Sequence, residues 1–258
     1  MLWPSSPRYL LKDTDLEVVY APLDVPRAVR RELEPLLSAV ERARAARFAY
    51  ELPRQRYIVA RARLRLLLSQ RLDAAPESIE IRHLPRGKPV LGGPFAASGL
   101  TFNLSHSDNV AVFAFARDRE VGVDVETVRV LEGADRIAER FFSRGEYRTY
   151  LSLPEAERKL GFLNCWTRKE AFIKATGDGL HYPLDSFEVS LAPDQLARIL
   201  RIGNRRERAC TWTLRGFSFD NLVGAVATQQ VSRAHHLCAA IARSVYLPRA
   251  KALWPVGT

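Results

Sequence analysis

The chain is expected to be α+β, a pseudo-dimer of two similar α+β halves with the active site in the seam between them. Three observations predict this. Residues 15–21 and 121–126 alternate like strands, and 109–116 run almost continuously apolar. Residues 54–72 and 160–176 carry apolar side chains at helical spacing. Finally, Asp108-Asn109-Val110-Ala111-Val112-Phe113-Ala114 is echoed 112 residues later by Asp220-Asn221-Leu222-Val223-Gly224-Ala225-Val226. The same shift carries the helix at 54–72 onto 166–176. Two copies of one unit leave a cleft where they meet, and ligands favour such seams.

In chain order, the strand at 15–21 is followed by a helix over 26–48, interrupted near Pro35. The helix at 54–72 comes next, then a short strand at 79–81 and a turn at Pro85-Arg86-Gly87-Lys88-Pro89. A loop rich in Gly and Pro leads through Phe102-Asn103-Leu104-Ser105-His106-Ser107 into the buried strand at 109–116. Arg117-Asp118-Arg119-Glu120 turns that strand into the next, at 121–126. A helix near 133–142 precedes Ser143-Arg144-Gly145-Glu146, whose spacing is a capping box that opens another helix. The helix at 160–176 is stopped by Gly177 and Gly179. A strand at 187–190 and a hairpin of 209–217 with 221–228 close the unit. The domains are expected at 1–120 and 121–231, with 232–258 as a loosely attached extension.

The net charge of +10 favours polyanionic partners, whether nucleic acid, a phosphorylated cofactor or an acidic protein. Cys165, Cys210 and Cys238 are too far apart for a zinc site and odd in number, which suits reduced thiols rather than a disulfide framework. The first residues lack a signal-peptide pattern, and no apolar run approaches the ~18 residues of a membrane span. The protein is expected to be soluble and cytoplasmic.

Two segments carry chemistry. In the strand at 121–126, Val121, Val123 and Val125 face one way, and Gly122, Asp124 and Glu126 the other. The two carboxylates are then roughly 6.6 Å apart and repel by about 2.5 kcal/mol at an effective dielectric near 20. A cation between them reverses the sign of that interaction. The alternative is a solvated edge with two free acids. In the helix at 160–176, Glu170 and Lys174 are one turn apart, either an ordinary surface ion pair or part of the same site. Lys169 is expected to be the solvated lysine. Three oxygen donors suit Mg²⁺, which takes its remaining ligands from water and phosphate.

The blocks Asn103-Leu104-Ser105-His106-Ser107, Gly122-x-Asp124-x-Glu126 and Trp166-x-x-Lys169-Glu170-Ala171-x-x-Lys174-x-x-Gly177-x-Gly179-Leu180 come in that order. With Arg86-Gly87-Lys88-Pro89 and Arg140-Phe141-Phe142-Ser143-x-x-Glu146-Tyr147, they resemble the 4'-phosphopantetheinyl transferase family of the Sfp type. The similarity runs from about residue 38 to 228.

The resemblance implies that coenzyme A binds in the seam as co-substrate. Its phosphopantetheine arm would pass to a serine of an apo acyl or peptidyl carrier protein, releasing 3',5'-ADP. It implies Mg²⁺ on Asp124, Glu126 and Glu170, with Lys174 on the phosphates. Glu146 would be the general base, against its reading as a helix cap. Lys88, Ser105 and His106 would hold the phosphoadenosine end, with Arg44, Arg47 and Arg56 as candidates for its 3'-phosphate. Glu41 stands where some relatives have lysine. The partners implied exclude nucleic acid and membrane, and a monomer is expected. The rivals are a metal-dependent nuclease or phosphatase, and a nucleic-acid-binding protein using the arginine-rich helix at 54–72.

Overall fold

The structure is a computed structural model that describes residues 8–203 and 208–230. Its elements are β1 (Arg8–Lys12), β2 (Leu16–Pro22), α1 (Arg27–Leu33), α2 (Ala39–Ala45), α3 (Glu51–Leu72), β3 (Ile81–His83), β4 (Pro89–Leu91), β5 (Leu100–Ser107) and β6 (Val110–Arg117). The second half contains β7 (Val121–Thr127), α4 (Ala134–Phe141), α5 (Arg144–Ser152), α6 (Glu155–Thr176), β8 (Phe187–Val189), β9 (Ile199–Ile202), β10 (Trp212–Phe219) and β11 (Leu222–Gln229).

The first half builds a sheet in the order β1-β2-β6-β5 and the second one in the order β10-β11-β7. Leaving β1 aside, these are the same topology, with β2-β6-β5 matching β7-β11-β10. The registers match too. Leu100 pairs with Arg117 in the first hairpin and Trp212 with Gln229 in the second, both 112 residues on. Asp108 and Asp220 occupy the two turns with φ of 48° and 49°, a left-handed geometry that Asp tolerates better than most residues. Leu16 faces Ala116 as Val121 faces Thr228, so the first strand of each half repeats at an offset of 105.

The helices repeat at a third offset. Both α3 and α6 have 22 residues and end in left-handed caps, at Asp73 and Gly177. Their offset is therefore 104 rather than the expected 112. The connection from helix to hairpin is eight residues longer in the second half (72 to 100 against 176 to 212). The echo was detected in the hairpins, and an offset taken from them does not carry over to the helix.

Other boundaries also moved. The interruption at Pro35 divides the first helical stretch into α1, a 3-10 turn at Glu34–Leu36 and α2. The segment read as a strand entrance is β5, a full strand hydrogen-bonded along β6. The strand expected at 79–81 lies at 81–83, with Ile79 buried just ahead of it. The expected extension at 232–258, with Cys238, lies outside the described residues. Cys165 is a buried free thiol and Cys210 an exposed one.

Each half packs its long helix on its own sheet. Leu64, Leu67 and Leu68 of α3 meet Phe102, Phe113 and Phe115, while Phe172 of α6 packs edge-on against Trp212 of β10. A third cluster joins the halves: Val121, Val123 and Val125 of β7 lie against Val18, Val112, Ala114 and Val226. The valine face of β7 is inward, as its alternation predicts.

The arginines of α3 are largely consumed inside the fold. Ser38 and Glu41 form a capping box on α2. Glu41 also reaches α3, where its Oε1 accepts from Arg61 Nε at 2.7 Å and its Oε2 from Arg65 Nε at 2.6 Å. Burial alone would raise the Glu41 pKa, but Arg61 and then Arg65 outweigh it and hold it below the ordinary value of 4.5. The pair's contribution to stability is therefore complete above about pH 4.5 and is lost as pH falls through the lowered folded value.

Two outcomes are expected in denaturation experiments. Glu41→Ala leaves two buried guanidinium groups without their anion and should cost about 3–5 kcal/mol; an unchanged urea midpoint at pH 7 would contradict the role given to Glu41. Gly122→Ala should destabilise by about 1–3 kcal/mol or more. A Cβ there would come within 2.2 Å of the Ala171 carbonyl oxygen and the Ala175 nitrogen, both backbone atoms of α6.

Candidate active site

The close approach at Gly122 creates the site. Gly122, Asp124 and Glu126 share the face of β7 on which α6 lies, and the missing side chain at Gly122 lets the helix backbone touch the strand. Between those two helix positions, Lys174 then reaches Asp124. Its Nζ lies 2.6 Å from Asp124 Oδ1 and 3.1 Å from Ser105 Oγ. Ser105 Oγ donates to the same carboxylate oxygen at 2.8 Å. Lys174 thus pairs with Asp124 of β7, not along its own helix with Glu170.

Asp124 is 4% exposed, and its second oxygen, Oδ2, is buried with no hydrogen-bond partner. A buried carboxylate oxygen without a donor is costly. Its neighbours add to that cost: burial raises the pKa of Glu126, and the charge of Asp124 raises it further. Glu170 is likewise raised by burial, relieved by Lys174 and pushed up again by Asp124 and Glu126. The three acids therefore lie within one another's fields. Among the described residues, however, no three His, Cys, Asp or Glu side chains are drawn together closely enough to hold an ion unaided.

The opposite side of the seam is β5. Asn103, Ser105 and Ser107 alternate onto one face and stitch it to β7. Asn103 Oδ1 accepts from Val123 N at 3.1 Å, and Ser107 Oγ accepts from Thr127 N at 3.0 Å. Ser107 Oγ also donates to Glu126 Oε2 at 3.1 Å. Side chains replace the backbone ladder here, which makes Asn103 and Ser107 site residues that the reading of Ser105 and His106 passed over. The period-two spacing of Asn-x-Ser-x-Ser was the available signal.

A cleft of about 860 Å³ runs along the seam, with Arg44, Arg61, His83, Lys88, His106 and Lys174 among its walls. His106 is held below its ordinary pKa by partial desolvation and then by Lys174. Lys88 contributes its stem; its ammonium is paired with Glu120 and donates to the Ala175 carbonyl at 2.5 Å. Arg44 lies over the Tyr57 ring at 5.6 Å. Arg47 is exposed and does not line the cleft. Arg56 is also outside it, donating from Nε and Nη2, one edge of its guanidinium, to the two oxygens of Asp24 at 2.8 Å.

Glu146 is elsewhere. It is 3% exposed and closes the expected capping box with Ser143. Its Oε2 accepts from Ser143 N at 2.7 Å and its Oε1 from Val189 N at 2.7 Å. Lys169 Nζ completes the set at 2.7 Å. Lys169 is not solvated; it is fully buried and also donates to the carbonyls of Leu184 and Phe187. This geometry is that of the cap, with both oxygens engaged, and not of a base facing the seam cleft.

Residues 29–117 match the family described as 4'-phosphopantetheinyl transferase, N-terminal. Residues 120–227 match the 4'-phosphopantetheinyl transferase superfamily. The chain is 37% identical over 225 residues to 4'-phosphopantetheinyl transferase HetI of Nostoc sp. (strain PCC 7120), covering 87% of this chain and 92% of that one. The chain belongs to the 4'-phosphopantetheinyl transferase superfamily. It is also 34% identical over 219 residues to the transferase psf-1 of Bacillus pumilus, covering 84% and 90% of the two chains. With Sfp of Bacillus subtilis (strain 168), identity is 32% over 61% of this chain and 68% of that one. The protein is thus an enzyme of the phosphopantetheinyl transferase class.

Glu146→Gln separates the two roles of that residue. Loss of the Lys169 pair should cost about 3–5 kcal/mol in a denaturant titration, with activity per folded molecule reduced by less than about 10²-fold. An essential base would instead lose about 10²–10⁴-fold in turnover at unchanged stability.

Proposed function

We propose that the enzyme transfers the 4'-phosphopantetheine arm of coenzyme A to a serine of an apo acyl or peptidyl carrier protein, with Mg²⁺ bound and 3',5'-ADP released. The observation that carries this reading is Asp124, with one oxygen committed to Lys174 and Ser105 and the other buried and unpartnered. Such an orphaned oxygen, beside two more carboxylates of raised pKa, fits a hard divalent cation. Mg²⁺ is commonly held by one or two carboxylates together with waters and substrate phosphates, so donors that do not form a closed cage suit it. Asp124, Glu126 and Glu170 would be the protein ligands. When bound, the ion would neutralise negative charge on the diphosphate and on the leaving 3',5'-ADP oxygen.

The rest of the reaction belongs to the chain. The serine oxygen bonds to the phosphorus bearing the pantetheine arm, the bond from that phosphorus to the bridging diphosphate oxygen breaks, and 3',5'-ADP leaves with the electron pair. Lys174, fixed by Asp124 and Ser105, presents an ammonium where negative charge gathers on the phosphate oxygens. His106, Lys88 and Arg44 line the path of the nucleotide end. The serine proton passes to a group facing the cleft, and Glu146 is assigned the anchoring role. Holding the coenzyme between two halves of one chain supplies orientation and needs no second subunit, consistent with a monomer.

The net charge of +10 suits an acidic carrier by steering its approach. The nucleic-acid reading loses its main support, because Arg61 and Arg65 are consumed by Glu41 inside the fold. No helix among the described residues is long and apolar enough to cross a membrane, in keeping with action in the cytoplasm.

The test is mass spectrometry of apo carrier proteins incubated with coenzyme A and Mg²⁺. Addition of the arm's mass is expected for the native enzyme. Glu170→Ala should lose at least about 10²-fold in kcat/KM, close to 3 kcal/mol, with its fold intact. Near-native turnover of that variant at saturating Mg²⁺ would remove Glu170 from the ligand set. Cleavage of nucleic acid without carrier modification would point to the nuclease alternative.

A further inference from the structure

Each acid of β7 has one oxygen engaged and one left over. Ser105 Oγ and Lys174 Nζ both hold Asp124 Oδ1, and Oδ2 is buried without a partner. On Glu126 the engaged oxygen is Oε2, which accepts from Ser107 Oγ at 3.1 Å. Among the described residues no hydrogen bond reaches its Oε1.

Ser107 is pinned at that contact. It is 8% exposed, and its Oγ accepts at 3.0 Å from the backbone nitrogen of Thr127, the residue after Glu126. The hydroxyl therefore closes a small ring on one stretch of β7, taking a hydrogen from Thr127 N and giving its own to Glu126. Proton counting supports that direction. Thr127 Oγ1 donates its one hydrogen to Asp108 Oδ2 at 2.6 Å, so at its 3.1 Å contact with Ser107 Oγ it can only accept. Ser107 also has one hydrogen, and it faces two acceptors at the same distance, a carboxylate oxygen and a hydroxyl oxygen. A hydrogen bond to an ionised acceptor is roughly twice as strong as one between neutral groups. The hydrogen goes to Glu126.

Asp124 and Glu126 then each offer a cation a single free oxygen, which bears on the choice of ion. Mg²⁺ demands a near-ideal octahedron of oxygens about 2.1 Å away, whereas Ca²⁺ takes roughly six to eight ligands in flexible geometry and accepts both oxygens of one carboxylate. A carboxylate with one oxygen already engaged fills one corner of the octahedron and denies the larger ion its extra ligand.

We propose that Ser107 is a positioning residue that limits Glu126 to one-oxygen ligation and so sets the preference of the site for Mg²⁺ over Ca²⁺. The inference rests on the reading of Asp124, Glu126 and Glu170 as ligands of a divalent ion.

The experiment uses the full chain saturated with coenzyme A and without carrier, so that nothing turns over. Bound Mn²⁺ is followed by electron paramagnetic resonance and displaced with Mg²⁺ or with Ca²⁺; the native protein should prefer Mg²⁺. In Ser107→Ala the dissociation constant for Mg²⁺ should rise about 10-fold to 100-fold, the range for losing the partner behind a metal ligand. That for Ca²⁺ should stay within about twofold, so the preference shrinks at least about fivefold. Thr127→Val keeps the backbone N–H that fixes Ser107 and removes only the competing acceptor, and its preference should stay within about twofold of native. If Ser107→Ala does not fold, Ser107→Cys takes its place. Its thiol fills the same position with only a weak donor, and the preference should shrink at least about threefold.

A merely structural lesion would weaken both ions alike. Equal losses or an unchanged preference in the Ser107 variant overturn the assignment, as does a native protein that binds the two ions equally well. If the native chain binds no Mn²⁺ at all, it is the divalent-ion reading that fails, a result distinct from misjudging Ser107.

Discussion

The contact between α6 and β7 at Gly122 is the constraint on which the site depends. A strand face that carries no side chain lets a helix backbone approach to contact distance, and that approach brings Lys174 within 2.6 Å of Asp124. Any larger residue at 122 would separate the two elements that supply the cation and the carboxylates. The arrangement is paid for by a buried, unpartnered oxygen on Asp124 and by mutual repulsion among three acids. Such tension is expected at a site that receives a cationic or phosphate-bearing ligand and has no evident structural benefit.

The seam joins two halves of matching topology. The hairpins of the two halves superpose in register at an offset of 112, and the first strands at 105. Yet the chemistry is divided unequally. The second half provides all three acids and Lys174, and the first provides β5, which braces them through Asn103, Ser105 and Ser107. The first half also supplies the basic cleft wall built on Glu41 and Arg61.

Two buried ion networks set this framework. Glu41 ties α2 to α3 through Arg61 and Arg65, and Glu146 ties α5 to α6 through Lys169. Both glutamates are also the third residue of a capping box, so each orders a helix start and an interhelical contact with one carboxylate. The parallel between the halves extends to this device, which a Ser-x-x-Glu spacing carries at Ser38–Glu41 and again 105 residues on at Ser143–Glu146.

Much of the site was legible in the sequence because local rules govern it. Period-two alternation placed Gly122, Asp124 and Glu126 on one face of a strand, and the spacing from Ser143 to Glu146 announced a helix cap. Glycines at 177 and 179 marked where α6 stops. The order of the motifs identified the family. Burial and partner choice were not legible, because they depend on which elements meet. Lys169 and Lys174 have similar surroundings in sequence, yet one is sealed in the core with Glu146 and the other reaches β7 to pair with Asp124. Arg47, Arg56 and Arg61 are equally basic on paper, and only the packing of α3 on α2 turns Arg61 into the cleft. Sequence by itself determined the fold class, the family and the single face of β7 shared by Gly122, Asp124 and Glu126; tertiary structure decided which charges face one another, since a charge's partner is set by distances between segments far apart in the chain.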